Sequence, residues 1–365
     1  MGHVPGSPNY AAGIGSNSTV TGTGGSPAGV VVAIGASAGG VEALSRLMAG
    51  LPEDLPAAVL VVLHVSPSSS SVLPGILTRS GRLPAHHAED GEPLIAGRVY
   101  VAPPDRHLIV EDGKVTLWRG PRENGVRPAI DTLFRSVATT YGPAAVGVVL
   151  SGMLDDGTAG LLALKRAGAV CLVQDPADSA FPSMPASAVR FAHPDQVASA
   201  RTMPGLVTAA VARLAEMADD PPGDDDELDD PPSDNPGTEQ PGGRDVVDEP
   251  SPGRGAMASE RHQAGAVAPL TCPECGGTLW EQQEGGLLRF HCRVGHAFSP
   301  ESLEAAQLEN LEQALWAAVV GLEERADLSD RLAARLDTRG LATRSARYQR
   351  QATDARRRAS LVRDA

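Results

Sequence analysis

The chain has 365 residues, 42% hydrophobic and 21% charged, and its 40 glycines and 30 prolines are too many for one compact fold throughout. At ~100–200 residues per domain, this length allows two or three domains. Four cysteines exclude a disulfide scaffold. No apolar run approaches the ~18 residues needed to cross a bilayer, and the first residues lack the basic and apolar stretches of a secretory signal. A cytoplasmic location without membrane insertion is therefore expected. The net charge of −14 is local, because residues Asp219 to Pro250 hold 13 acidic residues and one arginine, leaving the remainder close to neutral. Of 31 basic residues, Lys114 and Lys165 are the lysines. We read the arginine bias as codon usage rather than phosphate recognition, and expect no nucleic-acid partner.

Composition divides the chain into segments. Residues 1–28 are rich in Gly, Ser, Thr and Pro, and are expected to form a disordered tail. Residues 29–217 alternate apolar runs with helical patterns. Val30–Ile34, Ala58–Leu63, Ala145–Leu150 and Ala169–Val173 read as buried strands. Val99–Val101, Leu108–Val110 and Val115–Leu117 are shorter, with Asp112-Gly113 marking a hairpin between the last two. Helical patterns start at Gly39, at Ile130 and at Thr158. Continuous Val/Leu strands separated by helices predict an α/β domain: a doubly wound, mostly parallel sheet with helices on both faces. Residues 218–266 join like charges to Pro and Gly and read as an extended acidic linker. Residues 267–300 and 301–365 read as a small cysteine-containing unit and a helical segment.

In such a sheet, function lies at the carboxyl ends of the strands. Three polar side chains fall there: Ser37 in Gly35-Ala36-Ser37-Ala38-Gly39-Gly40, His64 after Leu63, and Asp156 in Ser151-Gly152-Met153-Leu154-Asp155-Asp156-Gly157. A hydroxyl, an imidazole and a carboxylate are the parts of an acyl-transfer triad: nucleophile, base, and the acid that orients the base. Each has a plainer reading. Ser37 is also a candidate helix N-cap or phosphate-turn residue, His64 a candidate core histidine, and Asp156 a candidate N-cap with Asp155 as its rival. Gly35-Ala36-Ser37-Ala38-Gly39 fits the G-x-S-x-G elbow of α/β-hydrolases. The order Ser37, His64, Asp156 and the serine's place after the first strand disfavour a lipase-type enzyme.

From Val30 to about Val197 the chain resembles the catalytic domain of chemotaxis protein-glutamate methylesterases, the CheB family. The resemblance rests on Ile34-Gly35-Ala36-Ser37-Ala38-Gly39-Gly40, His64, Glu89-Asp90-Gly91-Glu92-Pro93-Leu94, the run from Gly97 to Leu108, Arg127-Pro128, and Leu150-Ser151-Gly152-Met153 through Asp156-Gly157. It implies Ser37 as nucleophile, His64 as base, Asp156 rather than Asp155 as orienting acid, and Met153, with Ala38, beside the oxyanion site. It further implies hydrolysis of γ-glutamyl methyl esters on methylated chemoreceptor-like proteins, with glutamine deamidation in some members and no cofactor for catalysis. Ala38 stands where the family often has Thr. A hydroxyl that helps position the imidazole is thus missing, which bears on turnover rate more than reaction type. Only 28 residues precede this domain, so regulation by a family-type receiver domain in the same chain is not expected. The alternative reading is a catalytically weak regulatory or binding protein in a chemotaxis-like system.

Further on, Cys272-Pro273-Glu274-Cys275 and, after 16 intervening residues, Cys292-Arg293-Val294-Gly295-His296 have the spacing of a tetrahedral zinc site. Four protein ligands predict a structural zinc in a zinc-ribbon-like unit. His291 is a weaker rival ligand, and Cys171 reads as core. Ser299-Pro300 forms an N-cap and N1 pair. Leu308, Leu311, Leu315, Val319, Leu322 and Ala326 then mark one face of a long helix, with a second helix after Gly340. Trp316 is expected in core packing, and the seven arginines from Arg344 to Arg363 on a solvated face. This module is a candidate site for a signalling partner.

Overall fold

The computed structural model describes residues 27–67, 71–219 and 265–364. The tail expected at 1–28 and the acidic linker expected at 218–266 fall almost wholly outside these residues. In chain order the first part runs β1 (Val31–Ala36), α1 (Gly40–Gly50), β2 (Ala58–Leu63), α2 (Leu73–Ser80), β3 (Ala85–His87) and β4 (Val99–Val101). It continues with the hairpin β5 (His107–Glu111) and β6 (Lys114–Trp118), then α3 (Ile130–Tyr141), β7 (Ala145–Val149), α4 (Thr158–Arg166) and β8 (Val170–Gln174). It ends with α5 (Ser183–Ala192), β9 (Gln196–Ala198) and α6 (Met203–Asp219).

Seven strands form one sheet in the order β3-β4-β2-β1-β7-β8-β9, and every pair in it is parallel. The expected "mostly parallel" sheet is thus wholly parallel, and the antiparallel hairpin β5–β6 stands apart from it. The central strand explains why the runs are continuous rather than alternating. Val31 and Ala33 point to a core packed against α3, α4 and α5, while Val32 and Ile34 point to a second core against α1 and α6. A strand buried on both faces has no polar side to show in its sequence.

The second part is a four-stranded antiparallel sheet, β10 (Ala266–Thr271), β11 (Thr278–Glu284), β12 (Leu287–Cys292) and β13 (Ala297–Phe298), followed by α7 (Pro300–Asp337) and α8 (Ala342–Arg363). Ser299 caps α7 through a reciprocal pair, its hydroxyl accepting from Ser302 N–H while the Ser302 hydroxyl accepts from Ser299 N–H. The small sheet does not hang free. Glu123 bridges to Ala297, and Asn124 N–H donates to Ala297 O at 2.7 Å, so a loop of the first part extends the ribbon's edge.

The two long helices pack along an alanine seam of Ala326, Ala352 and Ala355, with Ala333 and Ala359 also buried. Small side chains there allow close approach. The apolar face expected along α7 is covered in its second half only. Leu308, Leu311, Leu315, Val320 and Trp316 are exposed, Trp316 by 55%. Trp316 therefore lies outside any core, contrary to the sequence expectation, because the shorter α8 does not reach the start of α7. Several α8 arginines pair: Arg356 with Asp330 at 2.5 Å and Asp327 at 3.4 Å, Arg363 with Glu323, and Arg358 with Asp354 at 2.9 Å. All are exposed, so each contributes little to stability. Among the described residues no helix is long and apolar enough to cross a membrane.

Candidate active site

The strand order reverses at β1: chain connections lead from it toward β2 and β4 on one side and β7 and β8 on the other. That reversal opens a crevice at the carboxyl edge of a parallel sheet. Ser37 follows β1 directly. His64 follows β2 and is tied to the serine strand by its own N–H, which donates to Ala36 O at 3.2 Å. On the other side Ser37 N–H donates to Ser151 O at 3.0 Å. Register alone thus sets the three strand ends side by side.

The chain then turns sharply into α1. Gly39, at φ 70°, is the N-cap position, and a Cβ there would meet Ala180 Cβ at 2.8 Å. Ser37 is accordingly not a helix cap. Its hydroxyl donates to His64 Nδ1 at 3.1 Å. On the far side of the ring His64 Nε2–H donates to Asp156 Oδ2 at 2.8 Å. An ionised carboxylate only accepts, so the ring proton lies on Nε2 and the Nδ1 lone pair faces the serine.

Asp156 is buried, and its oxygens are fully engaged. Oδ2 also accepts from Ile130 N–H at 2.7 Å, and Oδ1 from Asn124 Nδ2 at 2.9 Å and Asp131 N–H at 3.2 Å. Burial pushes this carboxyl up, but the His64 hydrogen bond and charge and the Ile130 amide outweigh it and hold it below the usual carboxylate range. Asp156 thereby satisfies the first amides of α3, not those of the helix that follows it. Asp131 returns the favour for α4, accepting from Gly157 N–H at 3.0 Å and Gly160 N–H at 2.7 Å. Gly157, at φ 95°, leaves no room for a side chain: a Cβ would lie 2.8 Å from Ile130 Cγ2. Asp131, wholly buried, is pushed up to about 7 by burial and by the neighbouring Asp156, against the pull of Arg289.

Asp155 faces away from the imidazole and accepts from Ser299 Oγ at 2.7 Å. The turn carrying Met153 lies against the serine, since a Cβ on Gly152 would come 3.0 Å from Ser37 Cβ. The Met153 side chain is more than half exposed, so the crevice is open there. The N–H groups of Ala38 and Met153 have no acceptor among the described residues.

A second cluster lies in the ribbon. One ligand atom from each of Cys272, Cys275, Cys292 and His296 falls within 4.8 Å of the others. Cys275 and Cys292 Sγ are 3.6 Å apart, and His296 Nδ1 is 3.4 Å from Cys292 Sγ and 3.7 Å from Cys272 Sγ. A tetrahedral site with metal–sulfur bonds of ~2.3 Å has edges of roughly 3.8 Å, so the donor set fits a metal ion of zinc's size. Two tight turns shape it, with Gly276 N–H on Cys272 O at 2.8 Å and Gly295 N–H on Cys292 O at 2.9 Å. His291 points elsewhere, its Nε2 3.1 Å from Glu284. Cys171 is buried in the main core, where burial pushes its thiol up to about 12.

Sequence reasoning missed Glu123, Asn124, Asp131 and Arg289, which surround the far side of Asp156. The available hint was Arg289 inside an apolar strand run, Leu287-Leu288-Arg289-Phe290. A charge in such a place implies a buried partner, but nothing local says which.

A doubly wound α/β sheet with a hydrogen-bonded serine, histidine and aspartate at its switch point has the architecture of a serine hydrolase. Residues 32–207 match the family model of the CheB methylesterase. Over 156 residues the chain is 46% identical to protein-glutamate methylesterase/protein-glutamine glutaminase 4 of Myxococcus xanthus, covering 42% of this chain and 44% of that protein. It is 47% identical over 164 residues to protein-glutamate methylesterase/protein-glutamine glutaminase 3 of Anaeromyxobacter dehalogenans, covering 44% and 48%. The crystal structure of the Thermotoga maritima CheB methylesterase catalytic domain is similar with a TM-score of 0.48 and 33% identity, covering 49% of this chain and 97% of that one. The segment 32–207 belongs to the CheB methylesterase family. The chain spans about half the length of the curated relatives it matches.

Proposed function

We propose that the chain is a protein-glutamate methylesterase-type serine hydrolase acting on γ-glutamyl methyl esters of chemoreceptor-like proteins. The observation that carries this reading is the unbroken hydrogen-bonded row from Ser37 through His64 to Asp156. Ser37 Oγ attacks the ester carbonyl carbon while His64 Nδ1 takes its proton, and Asp156 stabilises the imidazolium through Nε2–H. The N–H groups of Ala38 and Met153 are the candidate donors for the oxyanion. Collapse of the tetrahedral species breaks the carbon–methoxy bond, and His64 returns its proton to methoxide, releasing methanol. Water, deprotonated by the same His64, then cleaves the acyl-serine to glutamate and restores the hydroxyl. A glutamine amide follows the same path with ammonia as leaving group. The row needs no cofactor for these steps.

Cys272, Cys275, Cys292 and His296 are the ligands of a proposed structural zinc. When bound, it would fix the two turns of the ribbon, and with four protein ligands it has no open position for substrate. Four cysteines outside disulfides suit the reducing cytoplasm, where this substrate class would be met. The exposed face of α7 is the part of the C-terminal module that suits a signalling partner.

Methanol release from methylated receptor preparations tests the function. The wild type is expected to release methanol, and Ser37→Ala to reduce kcat by at least 10³-fold with its melting temperature unchanged. Equal rates in the two proteins would remove Ser37 as nucleophile and leave a binding protein.

A further inference from the structure

The acid at the end of the row is held from behind by the C-terminal ribbon. Asn124 is the junction. Its Nδ2 donates to Asp156 Oδ1 at 2.9 Å and to Asp131 Oδ2 at 3.1 Å. Its Oδ1 accepts from Arg289 Nη1 at 3.1 Å, Ser299 N–H at 3.1 Å and Ser302 Oγ at 3.2 Å. Among the described residues, every donor to that oxygen comes from residues 289–302. The amide's orientation, and with it the donor aimed at Asp156, is therefore set by the second part of the molecule.

Arg289 enters from β12 and is 1% exposed. Its Nη2 donates to Glu123 Oε1 at 2.6 Å, and its Nη1 lies 3.4 Å from Asp131 Oδ2. Glu123 is also held by Arg135 and by Thr132 Oγ1. The guanidinium thus sits among Glu123, Asp131 and, one residue removed, Asp156: buried carboxylates that cannot all stay ionised without a cation. A planar fork suits this task better than an ammonium, since it pairs with Glu123 and orients Asn124 at once. A second, separate grip comes from Ser299, whose hydroxyl donates to Asp155, the residue before the acid. One direct contact onto Asp155 and one relayed through Asn124 to Asp156 thus reach consecutive residues of the same turn.

We infer that Arg289, acting through Asn124, is a positioning residue for Asp156, so that the C-terminal ribbon forms part of the active centre instead of being an appended accessory. This rests on the triad reading above, in which Asp156 must hold the His64 ring with Nδ1 toward Ser37. Without Arg289, the Asn124 amide loses its charged donor and Asp131 its counter-ion, and the carboxylate that orients the ring is free to shift.

The test uses the full chain in five forms: wild type, Ser37→Ala, Asn124→Ala, Arg289→Met, and the double variant Asn124→Ala/Arg289→Met. Methanol release gives kcat and KM, and a one-dimensional proton spectrum follows the low-field His64 Nε2–H resonance. Each single variant is expected to lower kcat at least tenfold with KM within twofold, and to shift or broaden that resonance. The double variant is expected to be no slower than the worse single variant, because both substitutions cut one relay. A purely structural role would lower the melting temperature but leave kcat and the resonance of the folded protein alone. The inference is overturned if both single variants keep kcat within twofold, or if their losses multiply in the double variant. Should Arg289→Met not fold, Asn124→Ala decides alone, since it leaves the Arg289–Glu123 ion pair in place. If the wild type is no faster than Ser37→Ala, the esterase reading has failed, and the resonance decides: unchanged in both single variants, it overturns the inference as well.

Discussion

Asp155 and Asp156 are adjacent in sequence and opposite in chemistry. Asp156 accepts four hydrogen bonds, three of them from the imidazole and two backbone amides, and is held ionised. Asp155 has the Ser299 hydroxyl, and burial, only partly offset by that contact and by Arg289, pushes it up to about 6. A carboxyl raised in the folded state above its unfolded value of about 3.9 is at its least costly below pH 4, and stability is lost as pH rises through about 6. Asp155→Asn keeps the acceptor oxygen for Ser299 and removes the charge. It is expected to stabilise the fold at pH 8 by on the order of 1–3 kcal/mol, seen as a higher melting temperature, and to have little effect near pH 4. Thermal melts of both proteins across that range check the sign; a variant equally stable at both ends would contradict it.

At the scale of elements, legibility in the sequence followed hydrophobic continuity. The five- and six-residue strands β1, β2, β7 and β8 are dominated by Val, Leu, Ile and Ala, and their ends brought Ser37, His64 and Asp156 forward as a group. Strands β3 and β9, Ala85-His86-His87 and Gln196-Val197-Ala198, carry no such signal, because three half-exposed residues need no apolar pattern. The α7 periodicity correctly marked a helix face and wrongly implied that all of it is covered. Heptad-like spacing reports what a helix can pack, while the length of α8 decides how much is packed. Where the helices do meet, the alanine seam leaves no volume to spare. Ala352→Leu, at a wholly enclosed position, is expected to destabilise the hairpin by about 1–3 kcal/mol through overpacking. Helical signal followed by circular dichroism during denaturant unfolding would show it, and a midpoint equal to wild type would refute the seam's tightness.

For the whole molecule, the informative contacts span great sequence distance. Arg289 meets residues 165 and 166 positions earlier, Asn124 and Glu123. No window of sequence relates them, since neither propensity nor periodicity encodes a partner across another fold unit. The ribbon and the main sheet's connections share a buried charge cluster, and breaking such a cluster by removing one member costs about 3–5 kcal/mol. If Arg289 positions Asp156 as inferred, the proposed metal would bear on the reaction at a distance. Protein purified under reducing, chelator-free conditions is expected to hold one zinc per chain. Stripping it should lower both the melting temperature and kcat in the wild type, while Arg289→Met, already slow, should lose little further rate. Metal counting and methanol release before and after chelation measure both; absence of metal in the untreated protein would sink the zinc assignment.

The sheet's two outermost strands, β3 and β9, are each just three residues long. A border that short offers a newcomer only a few unpaired amides and carbonyls, too few to template lateral growth. Neighbouring copies thus find little of the main sheet to pair with, and the bare leucines and tryptophan near the start of α7 offer an apolar contact that mild detergent is expected to reverse.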